Sequence, residues 1–161
     1  MHIKIKPYIL PYSIAIALPL SVGIISALIT KENMMIYKEV VTPPLSPLGW
    51  LFPIVWTILY ILMGISSCMI YLKRERAPSI VRTGLTYYAM SLVANFGWSI
   101  IFFNMRLFGI AFLWLLMLLY LIIRTVASYF KVAKVASYLQ IPYIAWVVFA
   151  GYLNLAIYIL N

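Results

Sequence analysis

Acidic residues, histidine and cysteine are scarce in this sequence of 161 residues. Aspartate and glutamate together number 3, against 12 lysines and arginines, and charged residues make up 9% of the chain. Soluble domains carry about 25% charged residues, so this composition does not fit a soluble protein. One histidine, His2, and one cysteine, Cys68, exclude a His/Cys metal cluster and a disulfide framework within the chain.

The scarcity of acids also excludes several kinds of chemistry. No acid lies within any long apolar stretch, so proton or cation transport driven by a buried carboxylate is not expected. No pair of acids is present to act as general acid and base. The net charge of +9 lies in clusters between apolar blocks, not on one charged face, so nucleic acid is not an expected partner. No metal site is predicted.

Apolar residues are abundant, at 66% of the chain with a mean hydropathy of +1.05. Five continuous charge-free stretches, without the period-two alternation of barrel strands, predict transmembrane helices. We therefore expect an all-α integral membrane protein with a single domain over residues 1–161. The predicted helices cover residues 7–30, 46–72, 83–105, 107–128 and 134–159, with an outer loop at 31–45. The first stretch continues 13 residues beyond Ala17, which favours an uncleaved span over a signal peptide.

The basic residues predict how the helices are oriented. Nine of the twelve lie in the N-terminal segment and in the second and fourth loops, and three lie in the first and third loops. By the positive-inside rule, the N-terminus is predicted to be cytoplasmic and the C-terminus to lie outside. For a bacterial protein, this pattern indicates the cytoplasmic membrane, with the lipid bilayer as the first partner.

Aromatic, small and amide side chains recur on the faces of two predicted helices. Residues spaced by four share a face. Such sets are Trp56, Tyr60 and Gly64 in the second helix, and Trp146, Ala150 and Asn154 in the fifth. In the third helix, Asn95, Trp98 or Ser99, and Phe102 form a stripe. A start at Ser46 as the cap and Pro47 as the first helical residue is expected for the second helix.

Asn95 and Asn154 are the most informative of these residues. An amide without a partner in hydrocarbon costs several kcal/mol, so both should point into the bundle or a cavity. Buried asparagines also link helices, and tryptophans at helix ends form interfacial belts. Composition alone leaves a ligand cavity and plain packing as equal alternatives. Trp114 has no polar companion in the sequence and is expected to contact lipid or core.

Three motifs in the chain resemble those of the TspO/MBR family, which includes the translocator protein and bacterial tryptophan-rich sensory proteins. Residues 43–64 (PPLSPLGWLFPIVWTILYILMG) resemble the family signature. Residues 95–103 (NFGWSIIFF) and 141–154 (IPYIAWVVFAGYLN) resemble its third-helix and fifth-helix motifs. The match extends over essentially the whole chain.

The resemblance implies a five-helix bundle, commonly a homodimer, with a cavity beneath the first loop that binds porphyrins such as protoporphyrin IX. It implies that Trp56 and Trp146 line this cavity. Further cavity or motif positions are Tyr60, Asn95, Trp98, Ala150 and Asn154. No intramembrane histidine or paired cysteine is available to ligate a haem iron, so no covalent or metal cofactor is expected and the porphyrin is a ligand or substrate.

The leading functional hypothesis is a membrane protein that senses, sequesters or hands on porphyrins. One alternative is an enzyme that degrades protoporphyrin IX with light and oxygen, in which Trp56 and Trp146 are the catalytic residues. No acid–base site in the sequence supports that turnover. A second alternative is a porphyrin or lipid transporter, although the five spans show no inverted repeat.

Several positions depart from the family pattern and leave the polar recognition of a ligand open. These positions are Ile36, Thr42, Leu48, Ser91 and Trp114. In the same order, the family commonly has an aromatic residue, a basic residue, a proline, a residue with a side-chain amide and an acidic residue. Trp114 could also narrow the cavity. The C-terminal cholesterol pattern lacks its base after Tyr158, so cholesterol binding is not expected. Residues 126–131 fit only the loose form of that pattern.

Overall fold

A computed structural model describes residues 6–161, which contain seven α-helices, a π-helical segment and no strand. In chain order the elements are α1 (Lys6–Thr30), α2 (Ile36–Glu39), α3 (Leu51–Tyr71), α4 (Pro78–Ser99), the π-helical segment (Ile100–Asn104), α5 (Phe108–Phe130), α6 (Lys134–Tyr138) and α7 (Ile141–Leu160). Two residues that support the sequence predictions lie outside the described residues: His2, the one histidine, and Lys4, one of the nine bases used to orient the helices.

Five helical stretches of the described chain are long and apolar enough to cross a membrane. They are Tyr8–Thr30, Leu51–Tyr71, Pro78–Asn104, Phe108–Phe130 and Lys134–Leu160. Large apolar side chains on these stretches are exposed, as expected where lipid, and not water, surrounds the bundle. The predicted all-α bundle of five membrane helices is confirmed.

Two helices begin at positions other than the predicted ones. The second span begins at Leu51 and not at residue 46, because Ser46 does not cap it: the Ser46 hydroxyl donates to the Pro43 carbonyl at 2.8 Å and closes a turn. The third span begins at Pro78, where proline suits the first turn. Arg82 therefore lies inside that helix with its side chain exposed, so the charge-free stretch placed the start too late.

Two spans are also interrupted. The third ends in the π-helical segment, where the Met105 amide donates to the Ile100 carbonyl at 3.0 Å, five residues back. The fifth is divided into α6 and α7 by a break at Leu139 and Gln140, and Pro142 follows in the first turn of α7. Gln140 fixes this break, because its amide donates to the Ser66 hydroxyl of α3 at 3.2 Å.

Gly64 sets the distance between α1 and α3, which pack against each other along the bundle. A Cβ atom at Gly64 would lie 2.5 Å from the Ile16 Cα and 2.6 Å from the Ala15 carbonyl oxygen. Both atoms belong to the backbone of α1 and cannot move aside alone. The small residue is therefore required for the close approach of the two helices.

We predict that Gly64→Ala lowers the free energy of unfolding by about 1–3 kcal/mol, because it forces α1 away from α3. The measurement is a titration of the purified protein with sodium dodecyl sulfate. Gly151→Ala in α7 is the matched control, since nothing lies within 4 Å of its added Cβ. The control should be neutral or slightly stabilising. Equal effects of the two substitutions would contradict the close packing of α1 on α3.

Candidate functional site: an aromatic cluster between three helices

The side chain of Trp56 bridges α3 and α7. Its ring stacks on Tyr60 with centroids 5.4 Å apart and an interplanar angle of 30°. It also meets the edge of the Tyr143 ring at 6.1 Å. Trp56 remains half-buried, whereas Tyr60 and Tyr143 are buried. The Trp56 side chain is thus partly accessible.

Asn95 joins three helices through its side-chain amide. Its oxygen accepts a hydrogen bond from the Tyr60 hydroxyl of α3 at 3.3 Å, and its nitrogen donates to the Tyr143 hydroxyl of α7 at 2.9 Å. The side chain is 2% exposed. The amide therefore has partners on both sides, and it links α4 to the two helices that Trp56 bridges.

Asn154 makes a second link nearer the outer loop. Its oxygen accepts a hydrogen bond from the Trp98 indole nitrogen at 3.0 Å, and its nitrogen donates to the Phe108 carbonyl at 2.7 Å. Both side chains are buried. These bonds join α7 to α4 and to the start of α5. In this structure, both asparagines form hydrogen bonds between helices, and these bonds explain why their side chains point into the bundle.

Trp146 lies on the accessible side of the same region. Its ring meets Phe52 of α3 edge-on at 5.8 Å and lies 5.6 Å from Phe149. It lines an open groove of about 370 Å³ between α3 and α7. The lining is almost wholly apolar and consists of Val55, Ile58, Leu59, Pro142, Ala145 and Trp146.

The predicted site residues thus fall into two groups. Tyr60, Asn95, Trp98 and Asn154 are buried and bonded to one another or to neighbouring helices. The half-buried residues are Trp56, Trp146 and Ala150. Trp146 lines the groove, and Trp56 lies on α3 between the lining residues Val55 and Ile58, while Ala150 lies one turn beyond Trp146 on α7.

Tyr37 also belongs to this cluster, although the sequence analysis did not select it as a site residue. Its ring lies 5.4 Å from Phe52, 6.0 Å from Phe102 and 6.2 Å from Phe103. Burial raises the pKa of its phenol. The neighbouring Ile36 is 1% exposed, so α2 packs onto the aromatic side chains below it. The signal in the sequence was its place next to Ile36, the position at which the family commonly has an aromatic ring.

The outer loop is fastened to α7 at two points. The Val41 amide donates to the Asn161 side-chain oxygen at 2.9 Å, and the Asn161 nitrogen donates to the Val41 carbonyl at 3.1 Å. Further along, the Tyr152 hydroxyl donates to the Pro44 carbonyl at 2.9 Å. These bonds hold the loop that carries α2 against the end of the bundle.

Two of the residues that depart from the family pattern, Trp114 and Ser91, form hydrogen bonds with the backbone of α4. Trp114 packs against the core, as expected, and its indole nitrogen donates to the backbone carbonyl of Ala94 at 2.7 Å. Its ring packs against Gly97 in the contact between α4 and α5. Ser91 is buried and donates to the Tyr88 carbonyl at 2.7 Å.

The profile of the TspO/MBR family matches residues 15–160. The chain belongs to the TspO/MBR family. The described helices place the three family motifs on α3, α4 and α7, the helices that meet at Asn95.

Curated relatives from distant organisms agree with this assignment. The tryptophan-rich protein TspO of Chlorobaculum tepidum is 38% identical over 159 residues, which is 95% of this chain and 97% of that protein. The protein CrtK of Rhodobacter capsulatus is 32% identical, over 78% of each chain. The translocator protein of Bos taurus is 34% identical, over 85% of this chain and 82% of its own. The similarity therefore extends over most of each protein.

We predict that Asn95→Ala and Tyr143→Phe are energetically coupled, because each removes one end of the same hydrogen bond. Such bonds between membrane helices contribute about 0.6 kcal/mol on average and up to about 1.7 kcal/mol. A double-mutant cycle of unfolding free energies measures the coupling. The control cycle pairs Asn95→Ala with Tyr152→Phe, whose hydroxyl bonds only to the outer loop. A coupling no larger than in this control would show that the bond does not link α4 to α7.

Proposed function

We propose that this protein binds porphyrins at the groove between α3 and α7 and acts as a sensor or handler of these molecules. The observation that carries the proposal is the position of two half-buried tryptophans: Trp146 lines a groove that is almost wholly apolar, and Trp56 follows the lining residue Val55 on α3. Flat apolar walls with aromatic rings suit a planar aromatic ligand.

The proposal gives the buried polar residues a positioning role. The hydrogen bonds of Asn95 and Asn154 hold α4 against α7, and the Tyr60 ring stacks on the Trp56 ring. In this arrangement the ligand contacts the ring faces, and the amides set the distance between the helices that carry the rings. Ligand recognition then depends mainly on shape and stacking.

The proposal includes the cellular setting. We place the protein in the cytoplasmic membrane of a bacterium, with the N-terminus inside, because nine of twelve bases lie on the loops of one side. We also propose a homodimer, by analogy with the family. In this orientation the outer loop and the two fastening points at Val41 and Pro44 face away from the cytoplasm.

We predict that the purified protein binds protoporphyrin IX with nanomolar to micromolar affinity and that binding quenches tryptophan fluorescence. The double variant Trp56→Leu with Trp146→Leu should weaken binding by roughly tenfold or more, because it removes two stacking surfaces. Absorbance titration in the Soret region measures the affinity independently of protein fluorescence.

Trp50→Leu is the matched control for this prediction. Trp50 is 64% exposed just before α3 and, unlike Trp56 and Trp146, does not pack against the buried core of the bundle, so its loss should leave the affinity unchanged. Circular dichroism checks that each variant retains its helices. Unchanged affinity and quenching in the double variant would contradict the assignment of the groove as the porphyrin site.

A further inference from the structure

A second groove, of about 730 Å³, lies between the start of α5 and the end of α7. It shares no lining residue with the groove at Trp146. Gly109 and Tyr158 shape it: a Cβ atom at Gly109 would lie 3.0 Å from the Tyr158 ring, so the missing side chain lets that ring lie against α5. This second groove plays no part in the proposed porphyrin site.

The floor of the second groove is apolar and extends into the depth of the membrane. Phe112 and Leu113 of α5 and Leu155 of α7 line it. Leu113 is six residues beyond Leu107, which corresponds to a depth of about 9 Å along a helix. Its side chain is 64% exposed. The groove is therefore open to the bilayer and is not a closed cavity.

The mouth of the groove carries a pair of opposite charges. Arg106 lines the groove, and its Nη1 atom lies 3.0 Å from Oε2 of Glu39. Both side chains are about half exposed, at 51% and 54%. A guanidinium has five N–H donors, so one contact with Glu39 leaves others free for a further anion. Glu39 likewise retains acceptor sites for a further cation.

We propose that this groove binds a phospholipid with a primary ammonium headgroup, of the phosphatidylethanolamine type. Arg106 binds the phosphate, Glu39 accepts hydrogen bonds from the ammonium, and an acyl chain lies on Phe112, Leu113 and Leu155. The headgroup has one negative and one positive charge in adjacent positions, which complements the adjacent positive and negative charges of Arg106 and Glu39.

Other common headgroups fit this charge pair less well. Phosphatidylcholine has a quaternary ammonium, which cannot donate a hydrogen bond to Glu39. Phosphatidylglycerol supplies a phosphate for Arg106 but no cation for Glu39, so a second anion lies beside that carboxylate. The charge pair therefore predicts a preference for phosphatidylethanolamine over both other lipids.

We test this with native mass spectrometry of the full-length protein, mixed with equal amounts of dioleoyl phosphatidylethanolamine, phosphatidylglycerol and phosphatidylcholine. Exposed ion pairs contribute up to about 1 kcal/mol, so we expect roughly two- to fivefold more retained phosphatidylethanolamine than either competitor. Arg106→Gln should reduce retention of all three lipids, because each loses its phosphate contact, and should narrow the preference for phosphatidylethanolamine, which Glu39 alone then supports. Glu39→Gln should reverse the order and favour phosphatidylglycerol, because Arg106 is then unopposed.

Arg82→Gln is the control, because Arg82 is an exposed base in α4 that does not line the groove. A preference of equal size in the wild type and in Arg106→Gln, or an order unchanged by Glu39→Gln, would overturn the proposal. So would an equal effect of Arg82→Gln and Arg106→Gln, which would indicate only general attraction of lipids to basic residues.

A second variant tests the apolar part of the site without disturbing the core. Leu113→Trp fills the exposed groove and should lower phosphatidylethanolamine retention by roughly the same factor as Arg106→Gln. Leu116→Trp adds the same ring to an exposed position of α5 that does not line the groove, and should have no effect. Equal retention in the two tryptophan variants would show that the lipid does not lie in this groove.

Discussion

A polar group in the interior of a membrane has no water to bond, and this constraint organises the centre of the bundle. The amides of Asn95 and Asn154 each have a donor and an acceptor partner on neighbouring helices. Because an unsatisfied group there costs several kcal/mol, the helices must keep the distances at which these bonds form. The asparagines therefore determine where α4 and α7 lie, and thereby where the aromatic rings lie.

The same constraint separates residues that hold the site from residues that are open to a ligand. Tyr60 has both its ring and its hydroxyl engaged, by Trp56 and by Asn95. Trp146, in contrast, has part of its surface at the groove. A family motif thus combines two kinds of residue at helical spacing: buried residues that hold the helices together, and half-buried residues that are open to a ligand. Replacing a residue of the first kind changes the helix arrangement, and replacing one of the second kind changes the surface that a ligand meets.

The number and type of the membrane helices could be predicted from charge-free runs, because hydrocarbon disfavours charge along the central part of a span. The helix starts could not. Arg82 lies within α4, and Ser46 forms a turn with Pro43 instead of capping α3. Both helix starts depend on local hydrogen bonds, which the composition of the chain does not determine. The partners of Asn95 and Asn154 could not be predicted either, since they depend on how three distant helices pack. Helical spacing predicted the shared faces but not which residues on them are accessible.

The departures from the family pattern bear on how a porphyrin would be oriented. Ser91 and Trp114 have bonds within or between α4 and α5, and contribute no free polar group to the groove at Trp146. The groove itself is apolar, so the carboxylates of a porphyrin would lose their hydration there without compensation. A bound porphyrin must therefore keep its carboxylates at the membrane surface. On the side of the outer loop, exposed Lys31 and Lys38 each lie beside an exposed acid, Glu32 or Glu39, so these lysines offer individual contacts and no net positive charge. In the proposed complex, the macrocycle is expected to enter the groove with its apolar edge leading.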